Sequence, residues 1–363
     1  MDTHQTTQTF QALKEGADAY IKRRNQRLLA NHRKELRNFT RAESATYLGI
    51  DSKTLDKYVS AAGIDPRRHE DSQWSLDIEE MYQVRDLLPD NLRKEVKFQR
   101  SSKQDTQIIV IQNQKGGVGK TTTTITLAGL LSKQGKRVLL VDTDPHASLT
   151  TYLGYDSDNV PASLFDLFQL KEYTEQTVMP LVMQSDIEGI DLIPAHMSLA
   201  TLDRVMGNRS GMGLILKRAL MAIKQRYDYV LIDCPPILGV MMVNALAASD
   251  RILIPVQTEF LAMKGLERMI RTLAIMQKSR NKSFNVTIVP TMYDKRTRAS
   301  LQTLQQLKKD YPHQVWSSAV PIDTKFRDAS LKHLPVSHFA SGSRGVFAYK
   351  QLLIYLERLA IDD

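Results

Sequence analysis

Short apolar runs separated by helix-length segments recur from Gln107 onward, whereas residues 1 to about 100 combine helical periodicity with many charges. The apolar runs are IIVIQN, RVLLVD, IDLIPA, YVLIDC, RILIPV and VTIVPT. Alternating strand and helix patterns indicate βαβ units, and hence an α/β fold with a mainly parallel, doubly wound sheet. The polar stretch RKEVKFQRSSKQDTQ lacks apolar periodicity and predicts the boundary between the two halves.

The first half contains the segment FTRAESATYLGIDSKTLDKYVSAAGI, whose periodicity predicts two short helices joined by a turn. Thr40 and Glu43 have the spacing of a capping box, and Ser52 is the predicted cap of the second helix. A β-wing with Trp74 as its packing anchor and a further helix are expected to follow. We therefore predict a mostly α, winged helix-turn-helix DNA-binding domain over residues 39–100.

The exposed face of the second helix and the turn after it carry side chains of types that reach DNA phosphates and base edges. These candidate DNA contacts are Lys53, Thr54, Lys57, Arg67 and Arg68. Residues 1–38 are predicted to form a basic helix for dimerisation or DNA contact, because residues 22–37 contain seven lysines and arginines but one glutamate. An αα-hairpin used only for protein contacts remains the alternative for the helical pair.

Composition narrows the class of protein. The 363 residues suffice for about two domains, and a net charge of +9 indicates a polyanionic partner, with solubility alone as the alternative. A single cysteine, Cys234, allows neither an internal disulfide nor a cysteine metal cluster. The chain has no apolar run of about 18 residues and no secretory pattern at its start. We therefore expect a cytoplasmic protein without a membrane partner.

The sequence QNQKGGVGKTTTT at residues 112–124 follows a predicted strand and opens a predicted helix. Such a loop offers phosphate oxygens several backbone N–H groups and the positive end of the helix dipole. The usual pattern G-x-x-x-x-G-K-[ST] fails, because Gln114 stands where the first glycine is expected and Lys115 follows it. The predicted nucleotide-binding residues of the loop are Lys115, Gly116, Gly117, Val118, Gly119, Lys120, Thr121 and Thr122.

Three aspartates follow buried strands downstream of this loop. Asp142 and Asp144 come after VLLV, and Asp233 comes after YVLI. Open α/β sheets place their ligands at the carboxyl ends of the strands. The alternative, that these aspartates only cap helices, is disfavoured because all three follow apolar runs behind a phosphate loop.

The motifs KGGVGKTT, VDTDPHAS and VLIDCPP resemble those of the ParA/MinD family of deviant Walker ATPases, and the resemblance covers residues 107–363. With a helix-turn-helix in front, the chain is most similar to plasmid-type ParA partition proteins. The resemblance implies a P-loop NTPase domain over residues 107–363. It also implies a Mg²⁺-dependent ATPase that converts ATP to ADP and is weak unless stimulated.

In this family the early lysine of the loop reaches across a nucleotide-sandwich homodimer to the partner's phosphates, which explains Lys115. The catalytic residues implied by the resemblance are Lys115, Lys120 and Asp144, the last positioning the attacking water. The metal-binding residues implied are Thr121, Asp142 and Asp233. The family commonly reads D-x-D-P-Q, and here His146 replaces the glutamine.

The later segments TMYDKRTRAS and VPIDTKFRDAS resemble the family's adenine-flanking and DNA-facing segments. The adenine-site candidates are Met292, Tyr293, Asp294, Pro321, Ile322 and Asp323. The further DNA-contact candidates are Lys278, Arg280, Lys282, Lys295, Arg296, Arg298, Lys325 and Arg327. A solvated charged surface is the alternative for any one of these basic residues.

The resemblance implies ATP-dependent segregation of a plasmid or chromosome by a nucleoid-associated protein. The ATP-bound dimer would bind non-specific DNA, a ParB-like centromere-binding protein would stimulate hydrolysis, and the N-terminal domain would bind operator DNA and repress its own operon. A nucleotide-gated transcriptional repressor and a MinD-like positioning ATPase are the alternatives. The terminal segment FAYKQLLIYLERLAIDD argues against the latter, because Phe347 and the leucines after it predict a core-packed helix.

Overall fold

The computed structural model describes a discontinuous set of residues. The described residues are 13–17, 19–20, 23, 38–67, 73–89, 92, 106–202, 204, 211–278 and 283–362. Most of the predicted basic helix over residues 1–38 lies outside this set, as do the DNA-contact candidates Arg68, Arg280 and Lys282. The boundary segment predicted between the two halves also lies mostly outside it.

The N-terminal unit, residues 38–89, combines short helices with a small antiparallel β-pair. Its elements are β1 (Phe39–Thr40), α1 (Arg41–Leu48), α2 (Ser52–Ala61), β2 (Ser75–Leu76) and α3 (Ile78–Leu87). Strands β1 and β2 pair with each other. Leu48, Leu55, Leu76 and Val84 are buried in one cluster, against which Trp74 packs. The two consecutive helices are confirmed, while DNA binding by this unit stays a prediction.

The helix caps of this unit agree with the sequence pattern in one case and differ in the other. The backbone N–H of Thr40 donates to Glu43 at 3.1 Å, and the N–H of Glu43 donates to the Thr40 hydroxyl at 3.3 Å. This confirms the capping box. The prediction that Ser52 caps α2 is wrong, because Asp51 is the cap residue. Its carboxylate accepts two backbone N–H groups, and these hydrogen bonds suit an anion at a helix N-terminus.

The second half is built on a sheet that has seven strands among the described residues, in the order β5-β6-β4-β7-β3-β8-β9. The strands are β3 (Gln107–Ile111), β4 (Val138–Asp142), β5 (Met183–Gln184), β6 (Ile190–Ile193), β7 (Tyr229–Asp233), β8 (Arg251–Gln257) and β9 (Asn285–Thr291). Neighbouring strands are parallel, except for β5, which runs antiparallel to β6. The mainly parallel sheet is thereby confirmed.

Helices cover both faces of this sheet. They are α4 (Lys120–Lys133), α5 (Ser148–Tyr152), α6 (Leu164–Leu167), α7 (Glu175–Val178), α8 (Ile215–Ile223), α9 (Val240–Ala248), α10 (Ala262–Gln277), α11 (Arg298–Asp310), α12 (Lys325–Leu331), α13 (Val336–Phe339) and α14 (Arg344–Asp362). Along β3, Ile108 and Val110 join one core and Ile109 and Ile111 the other. This alternation follows from strand geometry and makes the sheet doubly wound.

The C-terminal helix α14 packs on the core through Leu352, Leu353 and Leu356, as predicted. Phe347 does not join them, because its side chain points outward and is 64% exposed. The apolar face of the helix begins instead at Val346, one residue earlier. Within the part of the chain that the structure describes, we find no helix with the length and hydropathy needed to span a bilayer.

Candidate functional site

The loop between β3 and α4 has a backbone suited to phosphate. Gly117 and Gly119 have φ angles of 73° and 92°, in the left-handed region that glycine adopts without strain. Helix α4 begins at Lys120, so its unpaired N–H groups face the loop. The ammonium of Lys120 donates to the carbonyl of Lys115 at 3.1 Å, and burial lowers the pKa of Lys120. The loop therefore holds a buried cation behind a cradle of backbone donors.

Asp233 lies directly beside this loop. The hydroxyl of Thr121 donates to its carboxylate at 2.6 Å, and the hydroxyl of Thr124 lies 3.3 Å from its other oxygen. Burial and then the nearby charge of Asp142 raise the pKa of Asp233 to about 8. The hydrogen bond from Thr121 and the positive charge of Lys120 act to lower this pKa, but they do not outweigh the burial. The structure thus brings together two of the predicted metal ligands, Thr121 and Asp233.

Among the described residues, no three His, Cys, Asp or Glu side chains are arranged to hold a metal. Mg²⁺ needs fewer protein ligands than that, because it commonly binds one or two carboxylates together with water and phosphate oxygens. The hydroxyl of Thr121 and the carboxylate of Asp233 fit this donor set.

Asp142 lies next to Asp233 in the paired strands β4 and β7, but its oxygens are already engaged. They accept the backbone N–H of Thr150 at 2.9 Å, the hydroxyl of Thr150 at 2.8 Å and the N–H of Asp144 at 3.1 Å. Burial raises the pKa of Asp142 to about 6. These contacts favour a role in holding the loop after β4 over direct metal binding, so metal binding by Asp142 stays a prediction.

Asp144 lies at the mouth of the site, with its side chain 13% exposed. One of its oxygens lies 2.9 Å from Nδ1 of His146, whose side chain is 80% exposed. The backbone N–H of His146 donates to the same oxygen at 2.9 Å. His146 therefore orients the carboxylate of Asp144, the residue that the family resemblance predicts to position the attacking water. The sequence showed that histidine replaces the usual glutamine but not which residue it contacts.

The sequence alone did not reveal the contacts that hold Lys115. Its backbone N–H donates to the Asn113 side chain at 3.0 Å, and Asn113 donates to the carbonyl of Pro255 at 2.7 Å. The ammonium of Lys115 contacts the carboxylate of Glu259, which follows β8. Lys115 thus lies at the rim of the loop and is held by residues from the neighbouring strand.

Gln114, which replaces the usual glycine, has a partner as well. Its side-chain amide donates to the hydroxyl of Thr272 on α10 at 2.8 Å. Helix α10 also approaches the loop at Gly265, where an added Cβ would lie 3.1 Å from that of Lys115. The deviant part of the loop is therefore packed against α10.

Four large apolar side chains are exposed on loops that follow β7 and β8. Ile237 and Leu238 are 65% and 58% exposed, and Phe260 and Leu261 are 77% and 62% exposed. Strands β7 and β8 flank β3, so these loops leave the sheet at the same edge as the phosphate loop. Clusters of exposed apolar residues often mark interaction sites. Apolar periodicity does not single them out, because they lie outside strands and helices.

The two predicted adenine segments are neighbours in the structure. The N–H of Tyr293 donates to the carbonyl of Val320 at 2.9 Å, and the N–H of Ile322 donates to the carbonyl of Tyr293 at 3.1 Å. The preceding Thr291 side chain donates to the carbonyl of Val118 at 2.9 Å, which joins this region to the phosphate loop. Their contact with adenine stays a prediction.

The acidic side chains of these segments have local partners. Asp294 pairs with Arg296 at 2.8 Å, which lowers the pKa of Asp294 to about 2. Asp323 accepts the N–H of Gly345 at 2.9 Å. Met292 has a φ of 51° and is 37% exposed, while Pro321 is half-buried.

The described DNA-contact candidates are nearly all exposed. The exposed ones are Lys53, Lys57, Arg67, Lys278, Lys295, Arg296, Arg298, Lys325 and Arg327. Thr54 is half-buried, and its hydroxyl donates to Asp51 at 2.6 Å, so it serves the cap of α2. Arg296 and Lys325 pair with nearby aspartates. DNA contact by these residues stays a prediction.

An AAA domain family model matches residues 106–286. The chain is 37% identical over 247 residues to the sporulation initiation inhibitor protein Soj of Bacillus subtilis, covering 68% of this chain and 96% of the relative. It is 34% identical over 249 residues to the chromosome partitioning protein ParA of Caulobacter vibrioides, covering 68% and 92%.

Among solved structures, the chain is similar to cobyrinic acid a,c-diamide synthase from Mycobacterium smegmatis with bound ATP analog and magnesium. The identity is 33%, the TM-score is 0.61, and the match covers 70% of this chain and 94% of the other.

Proposed function

The chain belongs to the ParA/MinD family of P-loop ATPases, and we propose that it is a Mg²⁺-dependent ATPase that segregates DNA. The observation that carries the proposal is the placement of two lysines. Lys120 lies buried behind the phosphate loop, and Lys115 lies at its rim, on the edge of the domain that exposes the apolar loop residues. The 34% identity to the chromosome partitioning protein ParA of Caulobacter vibrioides supports the proposed role in DNA segregation.

The residues of the loop bind and orient the nucleotide. Backbone N–H groups around Gly117 and Gly119 and the ammonium of Lys120 bind the phosphates of ATP or ADP. Thr121 and Asp233 hold Mg²⁺, which supplies positive charge that stabilises the transferred phosphoryl group. Asp144, oriented by His146, accepts a hydrogen bond from the attacking water.

Lys115 completes the site of a second copy. In the proposed homodimer, the two nucleotide edges face each other and cover the exposed side chains of Ile237, Leu238, Phe260 and Leu261. Each Lys115 leaves Glu259 and binds the partner's phosphates, as an arginine finger does. Assembly and hydrolysis are then linked, because the second cation arrives only on dimerisation.

The closed dimer binds non-specific DNA through the exposed basic residues near α11 and α12. A ParB-like protein stimulates hydrolysis and releases the DNA, and repeated binding and release on the nucleoid move the cargo within the cytoplasm. Helix α2 of the N-terminal unit binds operator DNA through Lys53 and Lys57 and represses the par operon.

Light scattering of the purified full chain with Mg²⁺ and a non-hydrolysable ATP analogue tests the proposal. We expect the wild type to shift from one to two copies and to retain random-sequence DNA, with retention falling steeply as salt rises. Lys115→Ala should bind a fluorescent nucleotide with the affinity of the wild type, but it should remain monomeric and retain no DNA. A wild-type chain that remains monomeric and retains no DNA under these conditions would refute the proposal.

A nucleotide-gated repressor is the second candidate, favoured by the exposed Lys53 and Lys57 on α2. DNA retention with the ATP analogue separates the two functions. Segregation requires binding to random fragments, whereas a repressor retains only fragments from the region upstream of its own gene.

A further inference from the structure

The N-terminal unit and the ATPase domain share a buried ion pair. Nη1 of Arg85, in the last turn of α3, lies 3.5 Å from Oδ2 of Asp228. The side chains are 7% and 3% exposed, respectively. Asp228 directly precedes β7, the strand that ends at Asp233. A charge from one unit is thus inserted into the other.

Asp228 is the anion of a crowded basic cluster. It accepts the backbone N–H of Arg137 at 2.8 Å, and Nη2 of Arg137 lies 3.4 Å from its other oxygen. Burial acts to raise the pKa of Asp228, but the charges of Arg85 and Arg137 outweigh it, and the pKa is lowered. Lys136 is also buried nearby. Asp228 therefore stays ionised and can hold the guanidinium of Arg85.

The cluster lies at the edge of the sheet where its strands begin. The N–H of Gln107, the first residue of β3, donates to the carbonyl of Asp228 at 3.1 Å, and the N–H of Asp228 donates to the carbonyl of Arg137 at 2.8 Å, just before β4. The phosphate loop and the three aspartates lie at the opposite edge, where these strands end. The N-terminal unit is therefore attached far from the nucleotide.

Charges buried in this way are costly unless they are paired, and removal of one partner leaves the other without compensation. A flexibly tethered DNA-binding module needs no such contact, because a polar linker would suffice. We propose that the Arg85–Asp228 pair fixes the N-terminal unit to the ATPase domain in one orientation, at the edge opposite the nucleotide.

The consequence rests on the proposed function. Two chains that close on their nucleotide edges would carry two copies of α2 at a fixed separation and orientation. A protein dimer that reads DNA through two helices binds half-sites whose spacing matches the separation of those helices. The Arg85–Asp228 pair would then set which operator spacing the dimer accepts.

The test measures orientation directly and needs neither nucleotide nor DNA. Spin labels are attached to Ala61→Cys on α2 and Lys171→Cys in the ATPase domain, both at exposed positions. Cys234 can stay in place, because its thiol is buried. Pulsed electron paramagnetic resonance then gives the distribution of distances between the labels. We expect a single narrow peak for the otherwise wild-type chain.

Arg85→Gln and Asp228→Asn should each lose the narrow peak, and Arg85→Lys should keep part of it. Asp86→Asn is the matched control, since Asp86 contacts Arg85 from the solvent side and is 66% exposed. It should keep the peak. Arg137→Gln removes another cation from Asp228 but changes no residue of the N-terminal unit. It should also keep the narrow distance peak.

Two outcomes overturn the proposal. One is a narrow peak that survives in both Arg85→Gln and Asp228→Asn, and the other is an equal broadening by Arg137→Gln, which would indicate general damage to the cluster. Basal ATP turnover, measured on the same samples, should match the wild type in Arg85→Gln. An inactive wild type would refute the proposed function but leave the distance measurement valid.

Discussion

The ammonium of Lys115 contacts the carboxylate of Glu259 within a single chain. Both side chains are partly exposed, at 26% and 42%, so water and a partner can compete for either charge. Glu259 follows β8 and is followed by the exposed Phe260 and Leu261. The lysine that is proposed to act on a second copy is therefore held by its own chain until that copy arrives.

Glu259→Gln should make nucleotide-dependent dimerisation easier. An exposed ion pair contributes about 0.2–1 kcal/mol and each dimer breaks two of them, so we expect dimers at about 2- to 30-fold lower protein concentration. Light scattering with Mg²⁺ and the ATP analogue measures this midpoint. Glu267→Gln, which breaks an exposed pair with Arg271 on α10, is the control and should leave the midpoint unchanged. Weaker dimerisation of Glu259→Gln would show that Glu259 itself serves the dimer.

Thr150→Val should destabilise the chain by about 1–3 kcal/mol, because it removes one hydrogen bond from the buried Asp142 and the acceptor of the buried Ala195 N–H. The hydroxyl of Thr150 donates to Asp142 at 2.8 Å and accepts the N–H of Ala195 at 3.0 Å. Urea unfolding measures the loss. The control is Thr126→Val, because the hydroxyl of Thr126 donates only to the Thr122 carbonyl within α4. Equal stability of the two variants would contradict this prediction.

Gly129→Ala should be destabilising as well. An added Cβ on α4 would collide with Pro335 and would lie 2.6 Å from the hydroxyl oxygen of Ser337. Overpacking of this kind costs about 1–3 kcal/mol. Gly342→Ala is the matched control, since no heavy atom lies within 4 Å of its added Cβ. The thermal midpoints of the two variants should differ clearly, and similar midpoints would show that α13 can move aside.

Lys136→Met should stabilise the chain at neutral pH. Burial lowers the pKa of Lys136 from 10.5 to about 8. Between these pH values the folded chain therefore binds fewer protons at this lysine than the unfolded chain does. Below pH 8 the folded chain carries the cost of a buried charge, which a shift of this size puts at about 3 kcal/mol. Above pH 10.5 the lysine is neutral in both states and the cost is absent.

The stabilisation by Lys136→Met should therefore be full below pH 8, decline between pH 8 and 10.5, and vanish above. Urea unfolding at a series of pH values measures this course. Lys171→Met, at an exposed position, should show no such dependence. A gain that is independent of pH would mean that methionine stabilises through packing alone.

Local sequence predicts the phosphate loop and six of the seven described strands of the large sheet. The six apolar runs became β3, β4, β6, β7, β8 and β9, because short segments rich in apolar residues bury themselves in a parallel sheet. Strand β5 was missed, since Met183 and Gln184 are too few to show a period. The sequence pattern predicts Ser52 instead of Asp51 as the cap of α2, because both neighbours are residue types that cap helices.

The partners of the site residues were beyond reach of the sequence. Glu259 meets Lys115 across 144 residues, and Gln114 meets Thr272 across 158. These contacts exist because β3 pairs with β8, and a strand pairing of that separation leaves no mark in local periodicity. The Arg85–Asp228 pair is also a long-range contact, but it forms through packing between the two units and not through strand pairing.

The strand order of the sheet has a consequence for synthesis on the ribosome. The phosphate loop emerges early, but its strand β3 pairs only with β7 and β8, which are translated more than a hundred residues later. A chain arrested before Asp233 has left the exit tunnel would carry the whole loop and yet lack Asp233, one of the proposed metal ligands. Nucleotide capture would thus begin only when most of the protein has been made.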